Sequence, residues 1–166
     1  MNVKERVDEN PLLDVAILSH GFASYMRDYD VLIEAMWGEK EWGDKRGRYL
    51  CRFTHCPEAH VVTSVSDGAW CQSWDDTFID YVEWQKNGEP EGYVWGVCWS
   101  MAYPGLRYIE NSQLAARWSE RHGKEMHEAE LETNAFILRL IFHDFSITKI
   151  RDEVDVIDKA LIPLKA

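Results

Sequence analysis

Positive charge is scarce in this sequence: eighteen lysines and arginines stand against twenty-nine aspartates and glutamates, a formal net charge of −11. Such a chain repels a phosphate backbone unless its few cations gather in one patch, and no basic run stands out, so nucleic acid is not an expected partner. Long apolar runs are missing too. The longest uncharged stretch, GYVWGVCWSMAYPGL at 92–106, falls short of the roughly 20 residues of a membrane helix and is interrupted by glycine, so no membrane span is expected. The opening MNVKERVDENP lacks the apolar core of an export signal, which makes a cytoplasmic setting the expectation. Cysteine is limited to positions 51, 56, 71 and 98, with no regular spacing, and reduced thiols are expected. Walker loops, dinucleotide fingerprints, EF-hand loops and nucleophile elbows are all missing, so no cofactor is expected.

What is present is the composition of a folded domain. Hydrophobic residues make up 46% of the chain, with eight tryptophans and seven tyrosines, which excludes low-hydrophobicity disorder. A single globular domain over 1–166 buries roughly 70% of its unfolded surface and needs no disulfide to fold. Apolar residues recur at period two in Leu13, Val15 and Ile17 and again in Val31, Ile33, Ala35 and Trp37, the signature of half-buried strands. A charged, glycine-bearing loop is expected at 38–48, strands at 49–56 and 60–65 with Pro57 in the turn between them, and further strands at 126–133, 135–142 and 145–150. Ser73 and Gly88 bracket one expected helix, Asn111 or Ser112 and Gly123 a second, and Val154, Ile157 and Leu161 mark a short closing helix. Tyr93, Trp95, Val97 and Trp99 share one side of a strand, after which Tyr103-Pro104-Gly105 is expected to turn the chain. The order of elements shows no βα alternation. It indicates an α+β fold, a largely antiparallel sheet with two or three short helices.

Four groups of residues invite a chemical reading. LCRFTHCPEAHVV at 50–62 holds Cys51, His55, Cys56 and His60, but Pro57 breaks any helix that would align them. On a strand of about 3.3 Å per residue, Cys51 and His55 lie about 13 Å apart and His55 and Cys56 face opposite ways, so no shared zinc ion is expected. His20 and His143, if their strands pair, could meet near Asp28 or Asp144 and move protons. Histidines at strand ends more often satisfy neighbouring polar groups. Trp95, Trp99 and Trp118 read as core residues rather than as a ligand pocket. Glu128, Glu130 and Glu132 lie at period two on one strand face, an acidic ladder that water is expected to solvate.

The stretches SHGFASYMRDYDV, FTHCPEA, FIDYVEWQKNGEPEGYVWGVCWSMAYPGLRYIENS and ETNAFILRLIFHDFSITKI together resemble the YxiG-like family of small bacterial proteins, over nearly the whole chain. The resemblance implies a bacterial cytosolic protein and carries over no catalytic residue. An immunity-type role is our own extension of it.

The leading expectation is a non-enzymatic acidic protein that binds a basic partner, with Glu128, Glu130 and Glu132 at the contact. The alternative is a small-molecule pocket protein or hydrolase-like enzyme using His20, Asp28, His143 and Asp144 as acid–base groups.

Overall fold

The computed structural model describes residues 1–23, 27–35, 47–63, 77–78, 81–92 and 100–150. Eight strands follow in chain order: β1 (Ala16–Phe22), β2 (Tyr29–Ala35), β3 (Gly47–Thr54), β4 (Glu58–Val62), β5 (Ser100–Tyr108), β6 (His127–Thr133), β7 (Ile137–Phe142) and β8 (Asp144–Lys149). Three helices accompany them: α1 (Val3–Asp8), α2 (Tyr81–Lys86) and α3 (Gln113–His122). The strands form one sheet in the order β4-β7-β6-β5-β1-β2-β3-β8, and every pairing is antiparallel. The fold is α+β.

Period-two patterning accounts for most of this sheet. On β2 and β3, Tyr29, Val31, Ile33 and Ala35 and then Tyr49, Cys51 and Phe53 are buried on one face. The register sets Tyr29 beside Phe53 and Phe53 beside Phe145, and Val31 beside Cys51 and Cys51 beside Ile147. Each inward row therefore continues across three strands. In the other half, Leu106, Leu131 and Leu138 form one row and Tyr108, Ala129 and Leu140 another. β5 joins the halves, pairing with β1 through Ser100 and Met101 and with β6 from Ala102 onward.

The two halves fold over one another. Phe53 on β3 touches both Phe142 on β7 and Phe145 on β8, each with ring centroids 4.9 Å apart. The His143 amide donates to the Thr54 carbonyl at 2.9 Å, which ties the ends of β7 and β3 together. Burial of each such Phe or Leu contributes about 1.5–3 kcal/mol.

Several expectations need correction. The charged opening contains α1, whose Asn2 side chain caps the Glu5 amide while the Glu5 carboxylate caps the Asn2 amide. Val7 then buries fully against the sheet. Tyr103-Pro104-Gly105 does not turn the chain: β5 runs through it with a bulge between Ala102 and Gly105, after which Leu106 pairs with Leu131 while its amide donates to the Pro11 carbonyl at 2.5 Å. β4 begins at Glu58, directly after Pro57, and β3 begins at Gly47, inside the expected loop. α2 spans six described residues, whereas α3 lies within its expected caps, with Ser112 accepting from the Ala115 amide and Gly123 at φ 64°. Ser73, the stripe at Tyr93, Trp95 and Trp99, and the closing helix at Val154, Ile157 and Leu161 lie outside the described residues. Trp118 is half-buried, packed with Leu114 on a small second cluster of Ala115, Met126 and Ile141 rather than in the main core.

Candidate functional site

The hydrogen bonds of the four acid–base candidates run to different partners, although Asp28 and His143 both contact His55. His20 lies towards the end of β1, where burial lowers its pKa, and its Nδ1 is hydrogen-bonded with the Tyr29 hydroxyl at 2.7 Å. Burial also drives the Tyr29 phenol up to about 12. The other face of His20 lies on Phe136, 4.6 Å between centroids. His143, between β7 and β8, donates from Nδ1 to the Glu125 carbonyl at 2.8 Å and meets His55 edge to face at 6.0 Å. Asp28 is buried and accepts the His55 amide at 3.0 Å, with Arg52 within 4.0 Å. Asp144 pairs with Arg6 of α1 and accepts from the Phe145 amide. Among the described residues, no hydrogen bond or ring contact joins His20 to His143.

The acidic ladder is built differently from its expected solvated form. Glu130 lies on β6 between Arg107 of β5 and Arg139 of β7, and the register places all three side by side. Both guanidinium groups bond its carboxylate, which is only 3% exposed, while the arginine side chains are 59% and 56% exposed. Burial opposes its charge, yet the two arginine hydrogen bonds outweigh that and hold its pKa below the usual value. Glu128 accepts from the Ser112 hydroxyl, so it serves the α3 cap. Glu132 is half-buried beside Gly105 and Ile137 in the register.

The residues of the Cys and His stretch at 50–62 also diverge. Cys51 faces the core between Val31 and Ile147. Cys56 is buried and donates from Sγ to the Glu58 carbonyl at 3.3 Å. Burial pushes both thiols up to about 12. His60 is exposed on β4 and bonds Glu58 at 2.6 Å. Glu58 also accepts from the Trp118 indole at 2.6 Å, and these two bonds lower its pKa.

A cavity of about 580 Å³ opens beside this stretch, lined by Phe22, Arg27, His55, Cys56, Pro57, His122, Lys124 and Met126. It forms where the ends of β1 and β3, the start of β6 and the end of α3 converge. The sequence reading missed it, because His122 and Lys124 flank Gly123 and read as ordinary cations at a helix end.

A second concentration of charge lies around Tyr108. Its hydroxyl bonds His127 Nδ1 at 2.9 Å, and Lys4 sits 6.0 Å from its ring. Lys4 pairs with Asp8 at 2.5 Å and with Glu110 at 3.3 Å. Burial raises the Tyr108 pKa, Glu125, Glu110 and Asp8 add to the rise, and Lys4 opposes it. These carboxylates come from α1, from the exit of β5 and from the approach to β6, so only the fold assembles them.

A crystal structure of an uncharacterized protein from Neisseria gonorrhoeae is similar at 7% identity and a TM-score of 0.40, covering 83% of this chain and 93% of that one. No curated protein matches. The sequence profile of the YxiG-like protein family matches residues 1–159, nearly the full length, and the chain belongs to that family.

Proposed function

We propose that this chain is a non-enzymatic binding protein for a basic protein partner, of the immunity type. The observation that carries the reading is the set of carboxylates around Tyr108, where Asp8, Glu110 and Glu125 gather with Lys4 in a chain already at −11. Complementary charge raises the rate of encounter and penalises like-charged competitors. Glu128 follows Glu125 on the same segment, and Glu132 lies further along β6. Glu130 adds little to that field, since its charge is answered by Arg107 and Arg139. Binding has more support than the hydrolase-like alternative, because the hydrogen bonds of His20, Asp28, His143 and Asp144 run to Tyr29, to the His55 amide, to the Glu125 carbonyl and to Arg6.

Affinity capture from a lysate of the native host tests this reading. The bait is the full chain, compared with a triple variant, Asp8→Lys, Glu110→Lys and Glu125→Lys. Side chains at Asp8 and Glu110 are 47% and 64% exposed, and exposed pairs of this kind contribute about 0–1 kcal/mol, so the variant should fold. The expected result is a protein of net positive charge that the native chain retains and the variant loses. Retention of an acidic or neutral protein, equally by both baits, would contradict the reading.

A further inference from the structure

The cavity beside Cys56 has a lining that runs against the composition of the chain. Acids outnumber bases overall, twenty-nine to eighteen, yet Arg27, Lys124, His55 and His122 line the cavity, and among the described residues that line it none is acidic. Phe22, Pro57 and Met126 supply apolar surface. Two carboxylates beside lining residues are engaged with other groups, while Glu125, between Lys124 and Met126, is exposed. Asp28 accepts the His55 amide with Arg52 close by, and Glu58 accepts from His60 and Trp118. A volume of about 580 Å³ falls within the range of small-molecule sites, roughly 300–1,000 Å³.

We infer that this cavity binds a small amphiphilic anion, its acidic head held by Arg27 and Lys124 and its apolar body laid on Phe22, Pro57 and Met126. Charge complementarity selects the head. An arginine and a lysine lining one cavity favour a carboxylate or phosphate over a neutral or cationic group. His55 and His122 offer further N–H donors at the same opening, and His55 is steadied by its edge contact with His143 and by its amide bond to Asp28. The apolar floor selects the body, because an inorganic anion would leave Phe22, half exposed, without an apolar neighbour on that side. Glu125 of the acidic surface borders this site, between Lys124 and Met126, but the inference stands without the partner reading.

Calorimetric titration of the full chain with decanoate and, in parallel, with 1-decanol tests the inference, because the two probes share a chain and differ in charge. Decanoate is expected to bind at least about tenfold more tightly than decanol, with the His55 and His122 ring resonances shifting on titration. The double variant Arg27→Gln and Lys124→Gln, at two exposed positions, should keep its melting temperature and lose that preference while decanol binding is unchanged. Equal binding of the two probes, a preference that survives the double variant, or no binding of either would overturn it.

Discussion

The ring of Phe53 on β3 meets that of Phe142 on β7 edge to face at 4.9 Å, although β6, β5, β1 and β2 separate the two strands in the sheet. Both side chains are completely buried. This contact closes one half of the sheet over the other, and it sets the position of Thr54, His55 and Cys56 against the end of β7. Phe53→Ala should therefore cost about 3–5 kcal/mol in denaturant unfolding. A loss below about 1 kcal/mol would mean that the halves do not depend on this ring.

Glu130 offers a test with a defined pH sign. Its pKa is lowered in the folded chain from an ordinary value of 4.5, so the folded state favours the carboxylate. The stabilisation is complete above pH 4.5 and is lost as pH falls through the lower folded value. Glu130→Gln should destabilise the protein by about 1–3 kcal/mol at pH 7, since Arg107 and Arg139 can rehydrate at the surface, and the gap should narrow towards pH 3. Thermal melts of both proteins across that range check it; an unchanged gap would show that the clamp is not the source.

Gly105 is required by its surroundings. Its φ is +95°, and a Cβ there would lie 2.3 Å from the Pro11 carbonyl oxygen. That oxygen and the Leu12 carbonyl carbon and oxygen, each 3.3 Å away, are all backbone atoms, so the bulge and the β5–Pro11 hydrogen bond must shift together. Gly105→Ala should cost on the order of 3 kcal/mol, combining strain with overpacking. A melting temperature within a degree of the native protein would contradict this.

Cys51 and Cys56 should resist alkylation. Both thiols are buried and pushed up to about 12, so almost no thiolate is present at pH 8. Peptide mapping after iodoacetamide treatment should find both unmodified in the native protein and both modified in guanidinium. Native labelling at either position would show that its burial is not maintained.

The sheet was largely legible in the sequence because its inward rows obey period two: Val31, Ile33 and Ala35 are buried as their alternation implies. α3 was legible through its caps, Ser112 and Gly123. α1 was overlooked although Asn2 and Glu5 form a capping box, because its six residues hold only one buried side chain. The bulge at Gly105 escaped notice because Pro-Gly is locally a turn signal, and the interaction that overrides it comes from Pro11. The acidic ladder failed for a related reason: strand periodicity puts Glu128, Glu130 and Glu132 on one face, but only strand order reveals that Arg107 and Arg139 flank Glu130. The cavity and the carboxylates around Tyr108 depend on contacts between distant segments, which no local pattern encodes.

Steering of a basic partner by Asp8, Glu110 and Glu125 makes the association rate of the captured partner depend on ionic strength. Surface plasmon resonance at roughly 20 and 300 mM salt spans Debye lengths of about 20 Å down to about 6 Å. The prediction is a fall in association rate of about tenfold or more across that range, a dissociation rate that changes little, and a flattened salt dependence for the Asp8→Lys, Glu110→Lys, Glu125→Lys variant. An association rate indifferent to salt, or identical in the native chain and the variant, would contradict it.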